Sequence, residues 1–476
     1  MPPLTYYTIR ADQDEDQLPP AIRPLKEEDG DAIRILTLGE PSSHTSEALS
    51  LEMHRSSTSE EYIALSYEWG QSEPDDPIIL INNRPVQVRK NLHEAIRQIF
   101  KHYSRYLRQR GKFECPHRPG TTVVDEWALE DRGVSVTSFP GDRRRGPVVH
   151  ARKRIKRVKK ALARSQKLSH HPRVCGYRRH KEALCPWTNL EDNCFWAKHD
   201  PPRLWIDALC INQSDISEKS FQVGMMGTIF SSAKLVFAWI GLPRDGSDDA
   251  LRILSMPSER LSQFVATGGL TDNLEATIVS LCERTYWRRI WIQQEIFLAQ
   301  NYVVMCGSGS ITSESLDQAL ADLTRLLSNA PKSRDKIMLS VAYEIVLSKR
   351  YYGANFYTLF RWLRRSIIAN FQATVPHDYL YALLSISCDD FTRIDKTKIE
   401  VDYDKPIAEV YCQLLQSFVE VPTTWNTDWL LKLSHKMGLS CEEAETLLNS
   451  EVMRRNDAAK DSKSDTEFWL FEFRHL

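Results

Sequence analysis

Apolar and polar positions along the chain fall into short segments of two periods. "AIRILTL" (32–38) and "YIALSYEWG" (62–70) are apolar or aromatic runs with polar or glycine borders, the pattern of strands. The stretches "DQDEDQ" and "EPSSHTSEALSLEMHRSSTSEE" are polar and read as loops in an N-terminal extension over residues 1–60 that is partly strand. "IILINNRPVQV" (78–88) predicts a hairpin turning at Asn82 and Asn83. Asn91 is then placed to cap "LHEAIRQIFKHYSRYLR", whose Leu92, Ile96, Ile99 and Tyr103 share one helical face.

Order resumes at "RLWIDALCINQ" (203–213), a near-continuous apolar run expected as a buried parallel strand. Asp215 and Glu218 have capping-box spacing at the start of "ISEKSFQVGMMGTIFSSA". "KLVFAWIGL" is a second buried strand closed by Gly241 and Pro243, and "NYVVMCG" a third, with helices near 247–264 and 272–283 between them. Strand and helix alternate, which predicts an α/β architecture with a parallel sheet covered on both faces. Beyond 311 the strand signals thin out. "MLSVAYEIVLSKRYY", "YTLFRWLRRSII", "DYLYALLSI" and "AEVYCQLLQSFV" read as helices of a region over 311–440, followed by a helix and polar tail over 441–476.

Totals change this picture little, because the formal net charge of the 476 residues is -1. Clustering matters more. Residues 143–181 hold sixteen Lys or Arg and no acid, which marks an insertion at about 111–200, expected to be unstructured or weakly helical. "RRR" and "RKRIKRVKK" within it suit nuclear import. Tyr177 is the sole aromatic there, which argues against stacking on nucleic-acid bases. The opening "MPPLTYYTIRADQDEDQ" has no signal-peptide pattern, and "AKLVFAWIGL", the longest apolar run, is far short of the roughly 20 residues a membrane span needs. Ten cysteines, mostly in apolar segments, suit reduced core thiols of a cytoplasmic protein. Cys115, His117, Cys175, Cys185, Cys194 and His199 share the insertion, but no C-x-x-C pair is present, and no metal site is expected.

One segment raises a chemical question. In "YWRRIWIQQEIFLAQ" (286–300), Glu295 has Trp291 and Ile292 one helical turn behind it and Leu298 and Ala299 one turn ahead. A carboxylate in an apolar stripe is either paired or held where its proton affinity is raised. Arg288, two turns earlier, is the nearest partner by helical spacing. Asp207 interrupts an apolar strand, and acids near the C-terminal ends of parallel strands lie where α/β sheets bind ligands. The plainer expectation for Asp207 is an acceptor for backbone N–H groups of the following loop. Tyr67 and Trp69 fall at the same edge, as stacking partners or as core. "CGSGSI" (306–311) lacks the third glycine of a dinucleotide fingerprint and reads as a turn.

Four stretches together resemble one family: "YIALSYEWG", "RLWIDALCINQSDISEKSFQVGMMGTIFSSAKLVFAWIG", "YWRRIWIQQEIFLAQ" and "PHDYLYALLSI" look like successive blocks of the fungal heterokaryon incompatibility (HET) domain. The resemblance runs from about 61 to 310, and "VDYDKPIAEVY" is typical of the helical region that follows. It implies a parallel-sheet fold similar to Toll/interleukin-1 receptor (TIR) domains, in the flavodoxin-like class, and a role in non-self recognition and programmed cell death. Some TIR domains hydrolyse NAD with an acid four positions after a tryptophan on a helix. Trp291 and Glu295 have that spacing. Under this reading Glu295 is the catalytic residue, Tyr67, Trp69, Asp207 and Trp291 line the substrate site, and NAD is substrate, with no cofactor and no metal.

The resemblance also implies self-association and an unidentified protein partner as trigger. The competing expectation is a non-catalytic module of the same fold that assembles and recruits a death effector. A weaker one is a nuclear regulator acting through the basic insertion.

Overall fold

The computed structural model describes residues 22–38, 49–109, 201–352, 357–388, 399–418 and 428–461. Strands β1 (Ala32–Leu38), β2 (Ser50–Ser57), β3 (Ile63–Tyr67), β4 (Ile78–Ile81), β5 (Arg84–Gln87), β6 (Arg203–Trp205), β7 (Leu235–Trp239), β8 (Tyr302–Cys306) and β9 (Gly309–Thr312) form one sheet. Their order is β5-β4-β2-β1-β6-β3-β7-β8-β9. The middle strands β6, β3, β7 and β8 are parallel. Around them β1 is antiparallel to β2 and to β6, β5 to β4, and β9 to β8, so the expected parallel sheet is a mixed one with a parallel core.

The difference has a local cause. β2 lies in the stretch expected as a loop, where Leu51 and Met53 are buried between exposed polar neighbours. That is period-2 alternation of an outer strand, hidden by its many Ser, Glu and His residues. It pairs with the whole of β1, from Ala32 opposite Ser57 to Leu38 opposite Leu51. The hairpin expected at 78–88 forms as β4 and β5, with Asn82 and Asn83 at φ 48° and 62°, the left-handed region a two-residue turn requires. By contrast, β3, β7 and β8 are buried at every position, as strands covered on both faces must be.

Helices fill the connections. They are α1 (Lys90–Gln109), α2 (Asp207–Cys210), α3 (Ile216–Gly224), α4 (Met226–Ser232), α5 (Ser247–Leu254), α6 (Ser258–Ala266), α7 (Asp272–Cys282) and α8 (Ile292–Leu298). After the sheet come α9 (Ser313–Leu326), α10 (Pro331–Met338), α11 (Val341–Tyr352), α12 (Leu359–Ile368), α13 (Asp378–Leu384), α14 (Ile407–Ser417), α15 (Asp428–Lys436) and α16 (Cys441–Asp461). The four helices expected beyond 311 are present as α11 to α14, whereas α16 continues into residues expected as polar linker.

Three details depart from the expected pattern. The apolar run at 203–213 is strand only to Trp205. The amides of Leu209 and Cys210 then both turn onto the carbonyl of Ile206, at 3.0 and 2.7 Å, and make α2. Asn91 does not cap α1, which starts a residue earlier. Its side chain instead donates to Glu68 O at 2.5 Å and accepts from Trp239 Nε1 at 2.8 Å, tying α1 to the ends of β3 and β7. Asp215 does cap α3, accepting from the Glu218 amide at 3.0 Å, but the Glu218 side chain turns inward to Arg34 rather than back to the cap. Arg34 and Glu218 are 1% and 2% exposed, an ion pair joining β1 to α3.

Among the described residues no helix is long and apolar enough to cross a membrane. The basic stretch 143–181, and the cysteines and histidines of the insertion, lie outside the described residues.

Candidate functional site

The parallel strands end together. β3 closes at Tyr67 opposite Trp239 of β7, and the chain leaves β6 through Ile206 to place Asp207 as the first residue of α2. Trp69, two residues beyond β3, donates from Nε1 to Asp207 Oδ2 at 2.8 Å. The other Asp207 oxygen accepts from the Ala208 amide at 2.7 Å, the loop-amide role that is the plainer expectation for this residue. Arg89, at the end of the hairpin, lies 5.1 Å from the Trp69 ring centroid and donates to Gly70 O at 2.8 Å. Tyr67 is 2% exposed and lies beside Asp207. Burial, and then that carboxylate's charge, push its phenol well above the usual range.

Glu295 reaches this edge from the other side. The segment expected as one helix is two pieces, a 3-10 turn at Thr285–Arg288 and then α8, separated by extended backbone at Arg289. The break decides the partner. Arg288 is directed away and pairs with Glu283 at 2.5 Å, whereas Arg289 turns back and grips Glu295 with both terminal nitrogens, each 3.2 Å from a carboxylate oxygen. Helical spacing therefore names the wrong arginine, because the backbone between the two residues is not helical. Ser66, the one polar residue facing inward from β3, donates to the same carboxylate, and its oxygen is 2.6 Å from the Tyr286 hydroxyl. The Glu295 side chain is 3% exposed and that of Arg289 16%.

Arg289 also bears on Asp207. Burial disfavours its charge, yet Glu295, Tyr286 and Asp207 hold its affinity for the proton above the ordinary value. For Asp207 the balance goes the other way: burial, opposed by Arg289 and reinforced by Glu295, pushes the carboxyl up to about 6. Two carboxylates therefore face one guanidinium, and Glu295 holds it.

The Asp207 shift has a thermodynamic sign. Its folded value lies above its unfolded one, so the fold favours the protonated acid, and this contribution is lost as pH rises from about 4 through about 6. An Asp207→Asn variant, always neutral, should therefore gain on the parent by about 2–3 kcal/mol between pH 4 and pH 7.5. Melting temperatures across that range test it; a variant that falls further behind as pH rises would show the charge to be stabilising.

Of the five residues singled out by sequence, Tyr67, Asp207 and Glu295 lie by Arg289, and Trp69 joins them through its bond to Asp207. Trp291 does not join them. It stands at the N-terminus of α8, beside Asp378 of α13, which accepts from Tyr403 Oη at 2.6 Å. Sequence reasoning missed Arg289, Ser66 and Tyr286. Ser66 is a polar residue inside a fully buried strand, a readable signal; the other two look like ordinary members of "YWRRIW".

Residues 62–107 and 176–295 match the family model described as Heterokaryon incompatibility protein (HET). The interval between the two blocks, 108–175, contains most of the basic stretch. A curated relative from Neurospora crassa, "Heterokaryon incompatibility protein 6, OR allele", is 30% identical over 160 residues, which cover 27% of this chain and 23% of the relative. The chain thus aligns with less than a quarter of that protein's length. No solved structure matches the chain. The matched blocks contain Tyr67, Trp69, Asp207, Arg289 and Glu295, so the candidate site lies within the part of the chain that matches the heterokaryon incompatibility (HET) family model.

Proposed function

We propose that this chain acts in heterokaryon incompatibility, the rejection of non-self after hyphal fusion, as a signalling module that self-associates and passes on a death signal without chemistry of its own in the conformation described here. One observation carries the choice. A carboxylate that stabilises an oxocarbenium-like transition state has to touch the sugar, and both oxygens of Glu295 are taken by Arg289, with Ser66 as a further donor, at 3% exposure.

A second reading, NAD hydrolysis, is supported by a different observation. Taken in chain order, the parallel strands β3, β6, β7 and β8 are arranged second, first, third, fourth, the order of flavodoxin-like sheets. Such sheets bind ligands at the C-terminal ends where that order switches, here between β3 and β7; Tyr67 ends β3 at that point, and Trp69 beyond it donates to Asp207, which follows the neighbouring β6. The nicotinamide leaving group departs neutral, so no acid has to protonate it. The requirement is a carboxylate beside the ribose, which Glu295 supplies only once Arg289 lets go.

Expressing the full chain in a host and following NAD and viability separates the two. The module reading expects death with NAD at control level, unchanged by Glu295→Gln. NAD that falls with the parent and holds with Glu295→Gln and with Asp207→Asn would replace it with the hydrolase.

A further inference from the structure

The helix that carries Glu295 is held along its whole length by residues downstream of the segment that matches the HET family. At its C-terminal end Lys349 of α11 donates from Nζ to the carbonyls of Phe297 and Ala299, at 3.1 and 2.6 Å. At its N-terminal end the Trp291 side chain lies beside Asp378 of α13. A cation on the last carbonyls is the charge a helix dipole favours at that end.

Between them, Gln293 Nε2 donates to Ser366 Oγ of α12 at 3.0 Å, and the Phe297 ring stands edge-on to Trp362 at 4.9 Å. Just before α8, the Ile290 amide donates to Gln372 O at 2.8 Å and the Gln372 amide to Arg288 O at 2.6 Å, so the backbone around Arg289 is clamped as well. The close packing continues onto α4, where a Cβ on Gly227 would lie 2.4 Å from Ser385 Cβ, just after α13.

We propose that Lys349 is a positioning residue: by fixing the C-terminal end of α8, while Gln372 clamps the backbone around Arg289, it holds the Arg289–Glu295 pair against the end of β3, so the helical region keeps this site shut. The inference rests on the closed state of Glu295 described above. It is tested on the helix itself, so it can fail while the cellular reading stands, and the reverse.

The experiment is native-state hydrogen exchange on the full chain. Lys349→Met should speed exchange of the 296–299 amides by about tenfold or more while the β7 amides, Leu235–Trp239, keep the parental rate. Lys349→Arg, whose guanidinium can serve both carbonyls, should return the 296–299 amides to within about twofold of the parent. Unchanged α8 exchange in Lys349→Met, acceleration spread equally over β7, or no rescue by Lys349→Arg would each overturn the proposal.

Discussion

Glu218→Ala should cost about 3–5 kcal/mol of folding stability, more than any other single change considered for this chain. The Glu218 carboxylate accepts from Arg34 Nη1 at 2.5 Å and Nη2 at 2.9 Å, from the Asn212 amide at 2.7 Å and from the Leu25 amide at 3.0 Å. Arg34 Nη1 and Nη2 also donate to the carbonyls of Cys210 and Arg23, at 2.9 and 2.7 Å. Truncation at Glu218 therefore strands a guanidinium that is 1% exposed and orphans two amides at once. Replacing both partners, as Arg34→Met with Glu218→Leu, removes the charge along with its mate and should cost less than Glu218→Ala alone. Urea unfolding of the three proteins checks this ordering; a Glu218→Ala loss under about 1 kcal/mol would contradict it. The pair also bears on the site, since Arg34 fixes the carbonyl that ends α2, the helix that starts with Asp207.

Arg289→Ala is expected to be the next most damaging change, at about 3 kcal/mol. It leaves the Glu295 carboxyl 3% exposed and supported only by the Ser66 hydroxyl among the groups that hold it now. It also frees the backbone only in part, because the Ile290 and Gln372 amides still bridge the two segments.

Much of the sheet was legible from residue patterns, and its exceptions have physical reasons. β3, β7 and β8 are buried on both faces and announce themselves as apolar runs. β2 escaped because half its residues face solvent and its polar half looks like loop. β6 looked longer than it is because a buried helical turn and a buried strand are equally apolar. The site was legible as types and not as partners. Asp207 with Trp69, and Glu295 in an apolar setting, follow from acids standing in apolar segments. Arg289 does not, because the partner depends on where the helix breaks, and nothing in "YWRRIW" marks the residue that goes extended. Trp291 was misplaced for the same reason. At the helix terminus, not inside the helix, its ring reaches the region downstream.

The most direct measurement is a double-mutant cycle on stability with Arg289→Ala, Glu295→Leu and the combination, by urea unfolding at pH 7.5. If Glu295 serves to hold Arg289 at the strand end, the two changes should be coupled by about 2–3 kcal/mol, the double variant being far more stable than the sum of the single losses implies. Additivity within about 0.5 kcal/mol would show that the two side chains do not depend on each other, and would leave Glu295 free to act on something else.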